Sequence, residues 1–135
     1  MVQLRYLFDT NILSVIIKQQ EGELARRIAK LSAAEFCTSI VVASELRFGA
    51  HYKNSAKLTA LVETLLLGIT VLPLDEPADH HYAVIRNQLQ CAGQLIGAND
   101  LLIAAHARSL NVTLVTANER EFNKVPELRV ENWLK

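Results

Sequence analysis

Five short apolar runs, separated by stretches of helical periodicity, limit the folds open to this chain more than anything else in it. Residues 4–8, 35–38, 69–74, 113–116 and 128–131 read as short strands. The segments between them place apolar residues at helical spacing. Residues 23–31 carry Leu24, Ile28 and Leu31 on one face, with Arg26, Arg27 and Lys30 elsewhere. Residues 55–67 carry Leu58, Leu61, Val62 and Leu65 on one side. Further helices are expected from Ile12 onward, from Thr38 or Ser39 to near Gly49, over 76–92 and over 98–109, with a helical turn at 119–123. Asp9-Thr10-Asn11 supplies residues favoured at helix N-caps, Gly68 closes a helix, and Pro73 marks a strand end or a sheet edge. Short strands alternating with helices imply βαβ units. The expected fold is α/β, with three layers (α/β/α) around a central, mostly parallel sheet. Ligands in such folds sit beyond the carboxyl ends of the strands, where Asp9 and residues 116–118 fall.

The length of 135 residues suits one domain, expected over 1–135. Fourteen basic and fourteen acidic side chains cancel. Such a balance does not advertise a nucleic-acid binder, although a local basic patch can serve while acids cluster elsewhere. Cys37 and Cys91 lie in apolar surroundings and read as two buried free thiols in a reducing compartment, with no zinc-site spacing around them. The apolar start is too short for a secretory signal and ends in Asp9. The apolar runs are too short to span a bilayer, so the expected location is cytoplasmic, with no membrane partner.

Three acids stand against that apolar background. Asp9 follows Tyr6-Leu7-Phe8, Glu45 follows Ile40-Val41-Val42-Ala43, and Asp100 precedes Leu101-Leu102-Ile103-Ala104-Ala105. A desolvated carboxylate is costly unless it is paired or holds a metal. Asp9 and Asp100 each have an alternative role as helix caps, and Glu45 could pair with Arg47. If folding gathers all three, they make an oxygen-rich pocket for a hard divalent cation, magnesium (Mg2+) or manganese (Mn2+), and phosphate chemistry follows. The chain has no Gly-x-Ser-x-Gly elbow and no phosphate-cradling glycine loop. A magnesium phosphatase would want an acid where Asn11 stands.

Four stretches carry a family resemblance, in order along essentially the whole chain. They are Leu7-Phe8-Asp9-Thr10-Asn11-Ile12-Leu13, Ser44-Glu45-Leu46-Arg47-Phe48-Gly49-Ala50, the run from Ile96 through Asn99-Asp100 to His106-Ala107, and Leu114-Val115-Thr116-Ala117-Asn118-Glu119. Together with the Val125–Trp133 tail they resemble PIN-domain ribonucleases, more narrowly the VapC toxins of bacterial toxin–antitoxin pairs. The resemblance implies a PIN-like nuclease domain in which Asp9, Glu45 and Asp100 are catalytic and bind one or two Mg2+ or Mn2+ ions. Asn11 and Thr116 would orient those acids. The place of the family's frequent fourth acid holds Asn118, which brings an amide oxygen and no charge, and Glu119 or Glu121 is as plausibly a solvated helical residue as a replacement. The implied reaction is hydrolysis of structured RNA, with transfer RNA as the expected substrate. Arg26, Arg27, Lys30, Lys53, Lys57, Arg86 and Arg120 are the candidates for holding its backbone. The implied assembly is a homodimer neutralised by a cognate VapB-like antitoxin. Two readings stay open beside it: a PIN-like RNA- or protein-binding module without turnover, and a magnesium-dependent phosphatase.

Overall fold

Leu7, Phe8, Cys37, Leu114 and Val115 are completely buried, as befits strands covered on both faces. The computed structural model describes residues 2–135. The first strand, β1 (Tyr6–Phe8), runs into α1 (Thr10–Lys18) and α2 (Glu23–Ala29), and a 3-10 turn at Ala33–Glu35 leads to β2 (Phe36–Ser39). Next come α3 (Ile40–Tyr52), α4 (Ala56–Leu67) and the two-residue β3 (Val71–Leu72). The remainder is α5 (Ala78–Cys91), α6 (Ala98–Leu110), β4 (Thr113–Val115), α7 (Glu119–Phe122) and β5 (Val130–Glu131).

The sheet order is β3-β2-β1-β4-β5, and every neighbouring pair is parallel. Leu7 lies opposite Cys37 on one side and Leu114 on the other. The chain builds outward from β1 through β2 to β3, then returns to lay down β4 and β5 on the far side. The direction of winding therefore reverses between β1 and β4, the position at which open α/β sheets leave a crevice. Right-handed crossovers put α1–α4 on one face and α5–α7 on the other. Within each group the helices pack together, α1 on α2, α3 and α4 and α5 on α6, while α3 and α6 also meet. Trp133 closes the structure, with its ring against Tyr6 and Phe8 at 4.8 and 5.4 Å and the Arg27 guanidinium 3.9 Å above it.

Several local expectations need correction. The 69–74 run pairs only at Val71–Leu72, because Pro73 has no N–H for the ladder. Glu35 belongs to a capping box rather than to β2, its carboxylate accepting from the Ser32 backbone N–H at 2.7 Å. α3 runs through Gly49 to Tyr52, since the cost of an interior glycine, about 1 kcal/mol, is small against burial of Leu46 and Ala50. Gly68 ends α4 in a right-handed conformation rather than a left-handed one. Cys37 is buried, and desolvation pushes its thiol up to about 12, but Cys91 is exposed at the end of α5. None of these shifts moves the carboxyl edge of the sheet.

Candidate active site

Because all strands are parallel, the chain leaves each of them at the same edge. Asp9 directly follows β1. It is the N-cap of α1, its carboxylate accepting from the Thr10 N–H at 2.8 Å, and it is 4 % exposed. Its backbone N–H is bonded to the Val115 carbonyl of the neighbouring strand. Ser39 ends β2 and caps α3 through the Val41 N–H, and the buried His106 of α6 meets the Ser39 hydroxyl at 2.7 Å. That contact ties α6 to the start of α3. Glu45 then lies in the second turn of α3 and Asp100 in the first turn of α6.

The three acids line one open cleft of about 480 Å³, together with Thr10, Asn11, Ser14, Lys18 and Asn118. The fold therefore brings Asp9, Glu45, Asp100, Asn11 and Asn118 to one wall. Thr116 is fully buried behind it. Its hydroxyl donates to Asp9 at 2.7 Å and accepts from the Asn118 N–H at 2.9 Å. Asn11 bridges the same elements, donating to Asp9 at 3.4 Å while its carbonyl oxygen accepts from the Ala117 N–H at 2.9 Å. Glu45 accepts from the Thr10 hydroxyl at 2.5 Å and from the Asn99 amide at 3.3 Å.

Asp9, Glu45 and Asp100 take no part in the ion pairs of the described residues, in which Arg47 binds Glu63 and Lys124 binds Glu121. The sequence alternative of a Glu45–Arg47 pair is thus absent. Burial raises the Asp9 carboxyl above its ordinary value, hydrogen bonds from Thr116 and Thr10 pull it back, and the charge of Glu45 raises it again. Burial also pushes the Asp100 carboxyl up to about 6, with the charges of Asp9, Glu45 and Glu121 adding to the effect. The cleft is a concentration of negative charge in which none of the three acids is ion-paired among the described residues.

The donors are oxygens of carboxylates and amides, the set that suits a hard divalent cation rather than zinc or copper. Among the described residues no three His, Cys, Asp or Glu side chains close into a cage around one ion. An open arrangement of this kind fits magnesium, which keeps several of its waters and is held through one or two carboxylates and the substrate's phosphates. Asn118 lines the cleft at the position resembling the family's fourth acid. Glu119 is paired with Lys135 and Glu121 with Lys124, so neither replaces it directly, although the charge of Glu121 reaches Asp100.

The basic candidates distribute differently. None of Arg26, Arg27, Lys30, Lys53, Lys57, Arg86 and Arg120 lines the cleft. Arg27 covers Trp133, Arg26 donates to the Glu21 carbonyl, and Arg86 donates to the Tyr82 hydroxyl. Lys53 lines an adjoining groove. The base in the cleft itself is Lys18, which the sequence reading passed over. A usable signal was present: Asn11, Ser14 and Lys18 recur at helical spacing behind the Asp9 cap and so share a face of α1.

Replacing Thr116 by Val would keep the side-chain shape and remove the hydroxyl that orients Asp9. Any reaction that depends on the Asp9 carboxylate should slow by about 10–100-fold, the usual scale for groups that orient such a carboxylate. An activity assay of the purified variant that shows no loss would reduce Thr116 to a packing residue.

A PIN-domain sequence profile matches residues 6–128. Ribonuclease VapC2 of Haemophilus influenzae Rd is 38% identical over 132 residues, covering 97% of this chain and 99% of that protein. The tRNA(fMet)-specific endonuclease VapC of Shigella flexneri is 36% identical, covering 96% and 98%. Among solved structures, VapBC2 from Rickettsia felis bound to a DNA fragment from its promoter superposes with a TM-score of 0.89 at 30% identity, covering 96% and 99%. DNA-bound VapBC from Salmonella typhimurium gives 0.88 at 33%, covering 97% and 99%. The chain belongs to the VapC ribonucleases of the PIN-domain family.

Proposed function

We propose that residues 1–135 act as one nuclease domain, a magnesium- or manganese-dependent endoribonuclease that cuts structured RNA, transfer RNA in particular. The observation that carries this reading is the convergence of Asp9, Glu45 and Asp100 from three separate elements on one cleft, with no cationic partner for any of them. Asp9 and Asp100 would hold the cation, with Glu45 and Asn118 beside them. A divalent ion bound there supplies charge neutralisation at the phosphate and activation of a water for in-line attack. Thr116 and Asn11 keep the Asp9 carboxylate in position, and Glu45, steadied by Thr10 and Asn99, is placed to orient the attacking water. Lys18 supplies the positive charge that an approaching phosphodiester needs beside an acidic cleft.

The relatives named tRNA(fMet)-specific endonuclease support transfer RNA as the substrate class. The VapBC structures support a cognate VapB-like antitoxin as partner, and the assembly we propose is a homodimer that this antitoxin holds inactive. The test is RNA cleavage by purified protein freed of its antitoxin. Cleavage should appear with Mg2+ or Mn2+, vanish with a chelator, and fall again when antitoxin is restored. Equal cleavage in chelator would remove the metal from the reaction. A chain that binds transfer RNA but never cuts it would revert to the binding-module reading, for which the uncharged Asn118 is the one supporting feature.

A further inference from the structure

Beside the acid cleft lies a second cavity, a groove of about 210 Å³ between α1, α3 and α4. Thr10, Ser14, Lys18 and Glu45 border both, so the two form one continuous depression. The groove is chemically unlike the cleft. Its walls are Ile17, Leu46, Leu58 and Val62, and its rim carries two lysines, Lys18 at the end of α1 and Lys53 just past α3. Neither lysine is in an ion pair among the described residues.

Gly49 lines the groove from inside α3, where glycine is less favourable than alanine. A Cβ there would meet nothing within 4 Å, so packing does not require glycine. A longer side chain at this position therefore has open space beside the groove to extend into.

We infer that this groove is a nucleobase subsite, which takes one unstacked base of a nucleotide next to the cut while Lys18 and Lys53 hold the phosphates around it. The inference rests on the ribonuclease reading above. Three observations carry it: apolar walls suited to the faces of a planar base, paired cations suited to its backbone, and direct continuity with the acids. The volume lies below the roughly 300–1,000 Å³ of ordinary small-molecule sites, on the scale of a single group. Bases unstacked from single-stranded loops are what proteins bind in this way. The rival occupant is a protein segment, and two lysines on the rim favour the polyanion over it.

The test is a two-way cycle on a transfer RNA whose wild-type cut has been mapped, using the full chain with Mg2+. One arm removes the base from each nucleotide flanking the cut in turn; the other replaces Gly49 by Leu to fill the groove. Base removal at one of the two positions should lower kcat/KM about tenfold, mostly through KM, the scale of one buried apolar group. Gly49→Leu should cost a similar factor on intact RNA. The two losses should not multiply when combined, because they delete the same contact. Fully multiplying losses, or indifference to base removal on both sides, would overturn the subsite. So would a Gly49→Leu protein that cuts RNA normally but escapes its antitoxin, which would assign the groove to a protein. The base-removal arm needs no variant, so a Leu protein that melts early leaves the test standing. Asp9→Asn run in parallel separates the two levels: if it cuts as fast as wild type, the assignment of the reaction to the acid cleft itself fails.

Discussion

Asp9→Asn is expected to lower RNA cleavage by about a hundredfold or more while leaving the folded chain as stable as before, and Asp100→Asn is expected to do the same with a gain of a few degrees in melting temperature. The reasoning is electrostatic. Both carboxyls are raised in the fold, chiefly by burial, so the charged form of each is destabilising where it stands. The amide removes that charge at nearly constant volume. At position 9 the gain is offset, because both Asp9 oxygens accept hydrogen bonds, from Thr10 on one side and Thr116 on the other, and an amide can accept at only one. At position 100 the carboxyl is half-buried, so solvent screening holds the gain to a few degrees. Activity and stability should therefore move apart, as they do where a site is kept under strain for function. Paired cleavage assays and thermal melts check this. A variant that loses both together would make its acid a structural cap.

The second large effect is a coupling of pH, cation and stability. Asp100 titrates at about 6 in the folded chain, above its ordinary value of 3.8. Between those values the folded chain binds the proton and the unfolded chain does not, so stability from this group falls as pH rises through that window. Asp9 shifts in the same direction. Without divalent ions, the protein should melt at a higher temperature near pH 5 than near pH 7.5 as far as these two groups decide it. A cation competes with those protons, so Mg2+ or Mn2+ should stabilise strongly near pH 7.5 and little near pH 5. Melting curves at the two pH values, each with chelator and with Mn2+, read the difference directly. Removing Asp100 by Asn should flatten it. Equal stabilisation at both pH values would mean that the ion does not bind at these acids.

Most of the architecture could be read before folding, and the reasons are local. Period and length separated strands from helices, and the strand–helix alternation required a parallel sheet. The N-caps at Asp9, Ser39 and Ser55 lie where polar residues precede apolar periodicity. The acids were legible because Asp9, Glu45 and Asp100 each interrupt a core-like run. Their common cleft follows from strand order, which no single run encodes. The cations were harder to place. Arg26, Arg27 and Lys30 have the right charge but lie on or at the end of α2, away from the cleft, whereas Lys18 sits on the α1 face that Asp9 starts. Sequence marks a base as solvent-facing but not which part of the solvent it faces. The exposure of Cys91 was missed for a related reason: Leu89 faces the core, but Cys91, two residues on, falls on a different face of α5.

The placement of β1 between β2 and β4 also bears on synthesis. Asp9 precedes its partners in chain order: the hydroxyl that positions it belongs to Thr116, and the third acid arrives only with α6. Under the nuclease reading proposed above, a chain that stops short of β4 would lack an assembled cutting centre. Topology would then delay activity until the last strands have docked, which separates the making of the polypeptide from the onset of its hazard.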